Sequence, residues 1–250
     1  MSFVSLPKAL LDQVTAPYRP LGDFTWRMAR GKLGRDPVFA GLLQRGLIQS
    51  HARILDIGCG QGLLAALLCG LDQHPFLSRA WPPAWAGAPQ GVKVRGIELM
   101  PRDVERARHA LAHLGARAEF VQGDMCRTDF GQADTVVILD VLHYVSHAAQ
   151  DDVLRRVKAA LSPGGTLLLR VGDASAGLPF RLSNWIDLIV TYLRGNRLAS
   201  LHCRPLSEWQ QALTGLGFEV QTLKMHEGTP FANSLLVARL PATIAASTAS

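Results

Sequence analysis

Asp56-Ile57-Gly58-Cys59-Gly60-Gln61-Gly62 closes one apolar stretch, Arg53-Ile54-Leu55-Asp56-Ile57, and opens another, Leu63-Leu64-Ala65-Ala66-Leu67-Leu68. The first is short and branched, as a buried strand is, and the second reads as a helix that starts at the last glycine. Glycines at alternate positions permit a turn too tight for a Cβ. They also let backbone N–H groups approach a ligand at the helix N-terminus. The stretch therefore predicts a strand, a ligand loop and a helix in succession.

What the loop lacks narrows the ligand. A dinucleotide fingerprint needs G-x-G-x-x-G, and Leu63 stands where its third glycine would be. No Gly-Lys-Ser/Thr follows, so it is not a Walker loop either. Asp56, two residues before the first glycine, would meet a phosphate with like charge. A cationic or zwitterionic ligand suits that position better.

Outward from the loop, strand and helix patterns alternate as in a parallel α/β sheet. Strands are expected over 92–98, 118–122, 135–139, 166–171, 218–224 and 234–240. Helices are expected over 102–114, behind Pro101, and over 152–161 and 206–216. Residues 72–91, with Trp81, Trp85 and four prolines, can be neither regular helix nor central strand. Residues 172–204 break the alternation as an insertion, with a helix expected over 182–193. Residues 1–50 read as a helical extension interrupted by Pro17, Pro20 and Pro37, 51–240 as the main domain, and 241–250 as a disordered tail.

Open α/β sheets bind ligands at the carboxyl ends of their strands. Glu98 ends the second strand, where a carboxylate can accept hydrogen bonds from both hydroxyls of a ribose. It lies further on than the about 20 residues of the dinucleotide pattern, because the 72–91 insertion intervenes. Gly123-Asp124-Met125 follows the third strand and Asp140-Val141-Leu142-His143-Tyr144 the fourth.

Asp-x-Gly-x-Gly-x-Gly after a first strand resembles motif I of the class I S-adenosylmethionine-dependent methyltransferases. The resemblance runs from about Arg53 to Leu240. It implies a Rossmann-like seven-stranded sheet of order 3-2-1-4-5-7-6, last strand antiparallel, with flanking helices. It also implies S-adenosyl-L-methionine as cofactor, held by Asp56, Gly58, Cys59, Gly60, Gly62, Glu98, Leu99, Asp124, Met125 and Asp140. Asp124 would take the adenine amino group, Met125 the ring face and Asp140 the methionine end. His143, Tyr144 and, where the insertion rejoins the fold, His202 are the catalytic and acceptor-side candidates. A histidine near its ordinary pKa of about 6.5 suits a general base at neutral pH.

The acceptor is less legible. The Asn/Asp-Pro-Pro-Tyr/Phe signature of enzymes that methylate exocyclic amines is absent after the fourth strand, and Trp81-Pro82-Pro83-Ala84-Trp85 falls at the opposite edge of the sheet. There it suits packing or an oligomer contact. Arg30-Gly31-Lys32-Leu33-Gly34-Arg35-Asp36-Pro37-Val38-Phe39, with the 140–144 and 201–204 stretches, looks like stand-alone methyltransferases of bacterial aryl-polyene and related pigment pathways. That likeness implies a small aromatic acceptor in secondary metabolism, carried in some cases on an acyl carrier protein. An RNA methyltransferase and a catalytically silent cofactor-binding subunit are the alternatives.

Composition sets the remaining bounds. Hydrophobic residues make up 48% of the chain, ample for a core, and no apolar run approaches the roughly 20 residues of a membrane span. With no charged-then-apolar N-terminal signal, a cytoplasmic protein is expected. Cys59, Cys69, Cys126 and Cys203 show no paired spacing, so neither disulfides nor a zinc site are expected. The net charge of +6 is partly concentrated in residues 1–50. It fits nucleic acid, an anionic lipid surface, an acidic partner protein or merely a solvated basic face. With 18% charged residues and no RNA-binding appendage, nucleic acid is the less favoured partner. Two histidine pairs, His109/His113 and His143/His147, are spaced i, i+4; the first reads as a solvated helix face, and no metal site is expected.

Overall fold

A computed structural model describes residues 5–73, 81–172, 201–225 and 233–242. The helix expected over 182–193 and most of the tail lie outside the described residues. Seven strands form one sheet: β1 (Arg53–Ile57), β2 (Lys93–Glu98), β3 (Ala118–Gln122), β4 (Ala133–Leu139), β5 (Leu161–Gly172), β6 (Glu219–Lys224) and β7 (Asn233–Arg239). Their order is β3-β2-β1-β4-β5-β7-β6. The first five are joined in parallel, and β7 runs antiparallel to both β5 and β6. This is the Rossmann-like sheet expected.

The period of two along each strand builds two cores. Ile54, Val94, Val137 and Leu168 face one side, and Leu55, Ile97, Ile138 and Leu169 the other. The first side is covered by α1 (Lys8–Thr15), α2 (Asp23–Arg35), α3 (Pro37–Gln44), α4 (Leu63–Gly70) and α5 (Pro101–Ala110), and the second by α6 (His147–Ala160) and α7 (Leu206–Gly215). Prolines punctuate the N-terminal helices as expected: Pro17 and Pro20 lie in a 3₁₀ turn, and Pro37 opens α3 behind an Asp36 cap. These helices are not an appendage. Leu10, Tyr18, Val38 and Leu42 are fully buried in the same core as the sheet.

Several boundaries differ from expectation: β4 and β5 begin earlier, at Ala133 and Leu161, and two helices are shifted. Helix α6 starts at His147, not at 152, because Ser146 caps it by accepting from the Ala149 N–H at 3.3 Å. The helix expected over 102–114 ends at Ala110, and a 3₁₀ segment (Ala112–Arg117) containing left-handed Gly115 leads into β3. Trp81 and Trp85 meet edge to face at 5.4 Å and pack on the first core. Ala86 N–H donates to the Gln44 carbonyl at 3.1 Å, and His51 N–H to that of Gln90 at 2.6 Å. These contacts lie at the amino ends of β1 and β2, far from the glycine loop.

Candidate cofactor and active site

Three left-handed glycines shape the loop after β1, with φ of 77° at Gly58, 53° at Gly60 and 76° at Gly62. Their surroundings differ. A Cβ at Gly58 would lie 2.5 Å from Val141, and one at Gly62 would lie 2.7 Å from Phe120, whereas one at Gly60 would meet nothing within 4 Å. Gly58 and Gly62 are therefore packing positions, and Gly60 faces the space a ligand can enter. Cys59 fills the room that Gly96 leaves on β2, where a Cβ would stand 2.6 Å from its sulfur. Burial, with the charges of Asp56 and Glu98, pushes its thiol well up. Cys59 is a neutral packing group turned away from the open side.

Glu98 holds this loop to the end of β2. One carboxylate oxygen accepts the Gly60 N–H and the other the Met100 N–H, each at 2.9 Å. A carboxylate offers about four lone-pair directions, so two hydroxyls can still be received. Leu99 stands beside it, 61% exposed. Asp56 is only 4% exposed, and burial, with the nearby Glu98 charge, pushes its carboxyl up to about 7. A cation would restore its ionised form. The Gln61 side-chain oxygen is also buried, without a hydrogen-bond partner among the described residues. Gly123 N–H donates to the Glu98 carbonyl at 2.9 Å, which sets the turn after β3 alongside. Within it Asp124 accepts the Cys126 N–H at 2.8 Å, and the Met125 carbonyl is held by Arg156 at 2.7 Å.

The end of β4 is built differently. Asp140, expected at the methionine end, is left-handed with φ 58°, and its carboxylate is held by Arg170 of β5. Its charge is therefore already paired. The turn Leu142–Tyr144 follows, where the His143 and Tyr144 rings lie 4.2 Å apart. His202 N–H donates to the His143 carbonyl at 2.8 Å, so His202 meets the adjacent pair His143 and Tyr144 although the chain separates it widely from them. Burial pulls the His143 imidazole down against the opposing charge of Asp140, which favours its neutral form. His147 opens α6 and faces His202 edge to face at 5.8 Å, so His143 and His147 do not share a helix face. Likewise, His109 lies in the last turn of α5 and His113 in the 3₁₀ segment. Among the described residues no group of three His, Cys, Asp or Glu could hold a metal.

Four supporting residues escaped the sequence reading. Gln150 is fully buried, and the two N–H donors of its amide are shared among the carbonyls of Leu142, Val145 and His202 at 3.1, 3.0 and 2.7 Å, stapling the two acceptor-side segments. Tyr18 donates its hydroxyl to the Gln61 carbonyl in the glycine loop at 2.8 Å. Arg170 and Asp36 form a buried pair. One signal was available: Arg170 interrupts the apolar run 166–171, and a charge inside a buried strand needs a buried partner.

Residues 31–223 match the family model described as a methyltransferase domain. The chain belongs to this methyltransferase family. It is 29% identical over 131 residues to a carboxy-S-adenosyl-L-methionine synthase of Chromohalobacter salexigens, covering 52% of this chain and 43% of that protein. It is 28% identical over 137 residues to a ubiquinone biosynthesis O-methyltransferase of Xanthomonas euvesicatoria, covering 54% and 48%. The chain thus spans about half the length of these curated relatives or less. Its fold is shared with a magnesium protoporphyrin IX methyltransferase of Synechocystis PCC 6803, solved with bound SAH, at a TM-score of 0.56 and 21% identity over 94% of this chain and 95% of that one. S-adenosylmethionine is the cofactor of this methyltransferase family, and the site fits it. Open Gly60, the unfilled lone pairs of Glu98, the raised Asp56 carboxyl and the unpartnered Gln61 oxygen match a ligand with a ribose and cationic centres. No described helix is long and apolar enough to cross a membrane.

Proposed function

We propose that this protein transfers the methyl group of S-adenosylmethionine to a small aromatic acceptor. The observation that carries the reading is the meeting of His143, Tyr144 and His202 at the end of β4, beside the Gly60–Glu98 cradle. The cofactor would supply a methyl carbon on a cationic sulfur, displaced in line by the acceptor. Glu98 receives the ribose hydroxyls, Asp124 and Met125 line the adenine, and Gly60 opens the backbone to the ligand. Positioning and exclusion of water do most of the work in such a displacement. An acceptor with an acidic O–H or N–H must shed a proton, and the neutral His143 imidazole takes it. Tyr144 and His202 supply aromatic surface against the acceptor ring. The basic excess of residues 1–50 suits an acidic carrier that presents the acceptor.

Incubation with radiolabelled S-adenosylmethionine and a panel of phenols, free and loaded on a carrier protein, tests this. Transfer is expected, with His143→Ala lowering turnover by about 10²-fold. Cofactor binding without transfer to any aromatic acceptor would favour a silent binding subunit. Transfer to RNA alone would replace the small-molecule reading.

A further inference from the structure

We propose that Arg170 is a positioning residue of the cofactor site, setting the turn after β4 against the glycine loop through Asp140 and tying the N-terminal helices to that turn through Asp36. The proposal rests on the placement of S-adenosylmethionine at the glycine loop.

Arg170 sits on the same sheet face as Leu168, the face that the N-terminal helices cover, and is only 2% exposed. Its guanidinium is forked twice. On one side Nη2 meets Asp36 Oδ2 at 2.7 Å and Nη1 meets the other oxygen; on the other side Nε meets Asp140 Oδ1 at 3.0 Å and Nη2 meets the second oxygen. Lys32 meets Asp36 at 2.9 Å, so two cations balance two carboxylates. Burial alone would raise the Asp36 carboxyl, but the charges and hydrogen bonds of Arg170 and Lys32 hold it well below the usual range.

Such a network needs a reason, because well-packed apolar residues can serve stability as well as a buried ion pair does. The backbone supplies one. Asp140 holds a left-handed conformation that side-chain-bearing residues adopt only when their surroundings impose it. Here Arg170 grips its carboxylate, while the Asp140 N–H donates to the Arg170 carbonyl at 3.2 Å. The next residue, Val141, lies where a Gly58 Cβ would be. Arg170, Asp140, Val141 and Gly58 thus form a continuous chain of contacts, and a turn released by Arg170 would shift against the loop that cradles the ligand. The N-terminal segment meets this chain of contacts at Arg170, through Asp36, and the glycine loop at Gln61, through Tyr18.

Arg170→Lys separates geometry from charge, because an ammonium cannot fork to two carboxylates at once. S-adenosylhomocysteine binding measured by calorimetry should weaken by about tenfold in the folded variant. Wild-type affinity in folded Arg170→Lys would overturn the proposal. If that variant does not fold, Asp36→Asn decides, since asparagine can still cap α3 and leaves the Asp140 pair intact. It should speed hydrogen exchange in α2 and weaken binding by about threefold; both unchanged would overturn the proposal. Glu98→Ala serves as the control for cofactor placement. Its failure to weaken binding removes the underlying site reading, whereas weak binding by Glu98→Ala beside normal binding by Arg170→Lys removes this inference alone.

Discussion

The two halves of the sheet's carboxyl edge are made by opposite means. On the β1–β2–β3 side the shape comes from backbone: three left-handed glycines, with the Gly60 and Met100 N–H groups bound by one glutamate. On the β4–β5 side it comes from side chains that bridge distant segments: Arg170, held by Asp36, fixes Asp140, and Gln150 ties the following turn to the backbone of His202. The first half is shaped mainly by backbone conformation, with Glu98 and Tyr18 as its side-chain anchors. The second depends on the N-terminal helices and α6 being in place, which couples the acceptor side to the folding of the whole domain.

If the glycines have separate tasks, substitution should tell them apart. Gly58→Ala adds a Cβ 2.5 Å from Val141 at a positive φ, so strain and overpacking together should cost about 4 kcal/mol. Chemical denaturation should show that loss directly. Gly60→Ala meets no neighbour and carries only the backbone strain, about 1 kcal/mol. It should fold yet bind S-adenosylmethionine at least about tenfold more weakly, because its methyl enters the ligand's space. Equal effects on stability would dissolve the distinction drawn between the two glycines.

On the side-chain half, Gln150→Met keeps the volume and removes the donor shared by Leu142, Val145 and His202. Leaving buried carbonyls unpaired should cost about 2 kcal/mol. Turnover at saturating cofactor should fall more than cofactor affinity does, because the variant loosens the acceptor side and leaves the Glu98 cradle intact. A matching fall in cofactor affinity would show that the two halves are not independent.

This contrast also explains what could be read from the chain alone. The strand pattern and the spacing of Gly58, Gly60 and Gly62 are written in consecutive residues, so the strands, the glycine loop and Glu98 at its strand end were legible, while the sheet order came with the family resemblance. The partners of Asp140 were not, because Arg170 and Asp36 lie far from it in sequence and hydrophobic periodicity carries no information on charge pairing. The boundary set at residue 50 likewise missed that Tyr18 and Leu42 belong to the core of the domain. Only packing reveals that.

Asp56 offers a pH test on the backbone half. Burial, with the Glu98 charge, sets its carboxyl at about 7, and a cationic ligand favours the ionised form, so binding lowers that value and releases a proton. Affinity is therefore fullest above about 7 and is lost as pH falls through it. Between about pH 8 and about pH 6 the apparent Kd for S-adenosylmethionine should rise roughly tenfold. Asp56→Asn should flatten the profile, and an unchanged slope in that variant would assign the proton elsewhere.

The smallest expected effect lies where the N-terminal segment meets the glycine loop. Tyr18 is fully buried, and burial, with nearby Cys59, keeps its hydroxyl protonated as a donor to the Gln61 carbonyl. Tyr18→Phe keeps the ring and removes only that bond, at a cost of about 1 kcal/mol. If the N-terminal helices merely cover the core, the loss should appear in stability alone. If they hold the glycine loop for its ligand, calorimetry should also show weaker S-adenosylmethionine binding, and hydrogen exchange at residues 58–62 should quicken while exchange in β4 stays as it was. Because Arg170→Lys acts on the same helices from the other end, the two effects on binding should fall short of additive when the substitutions are combined. Strict additivity would mean that Tyr18 and Arg170 act on the ligand site independently.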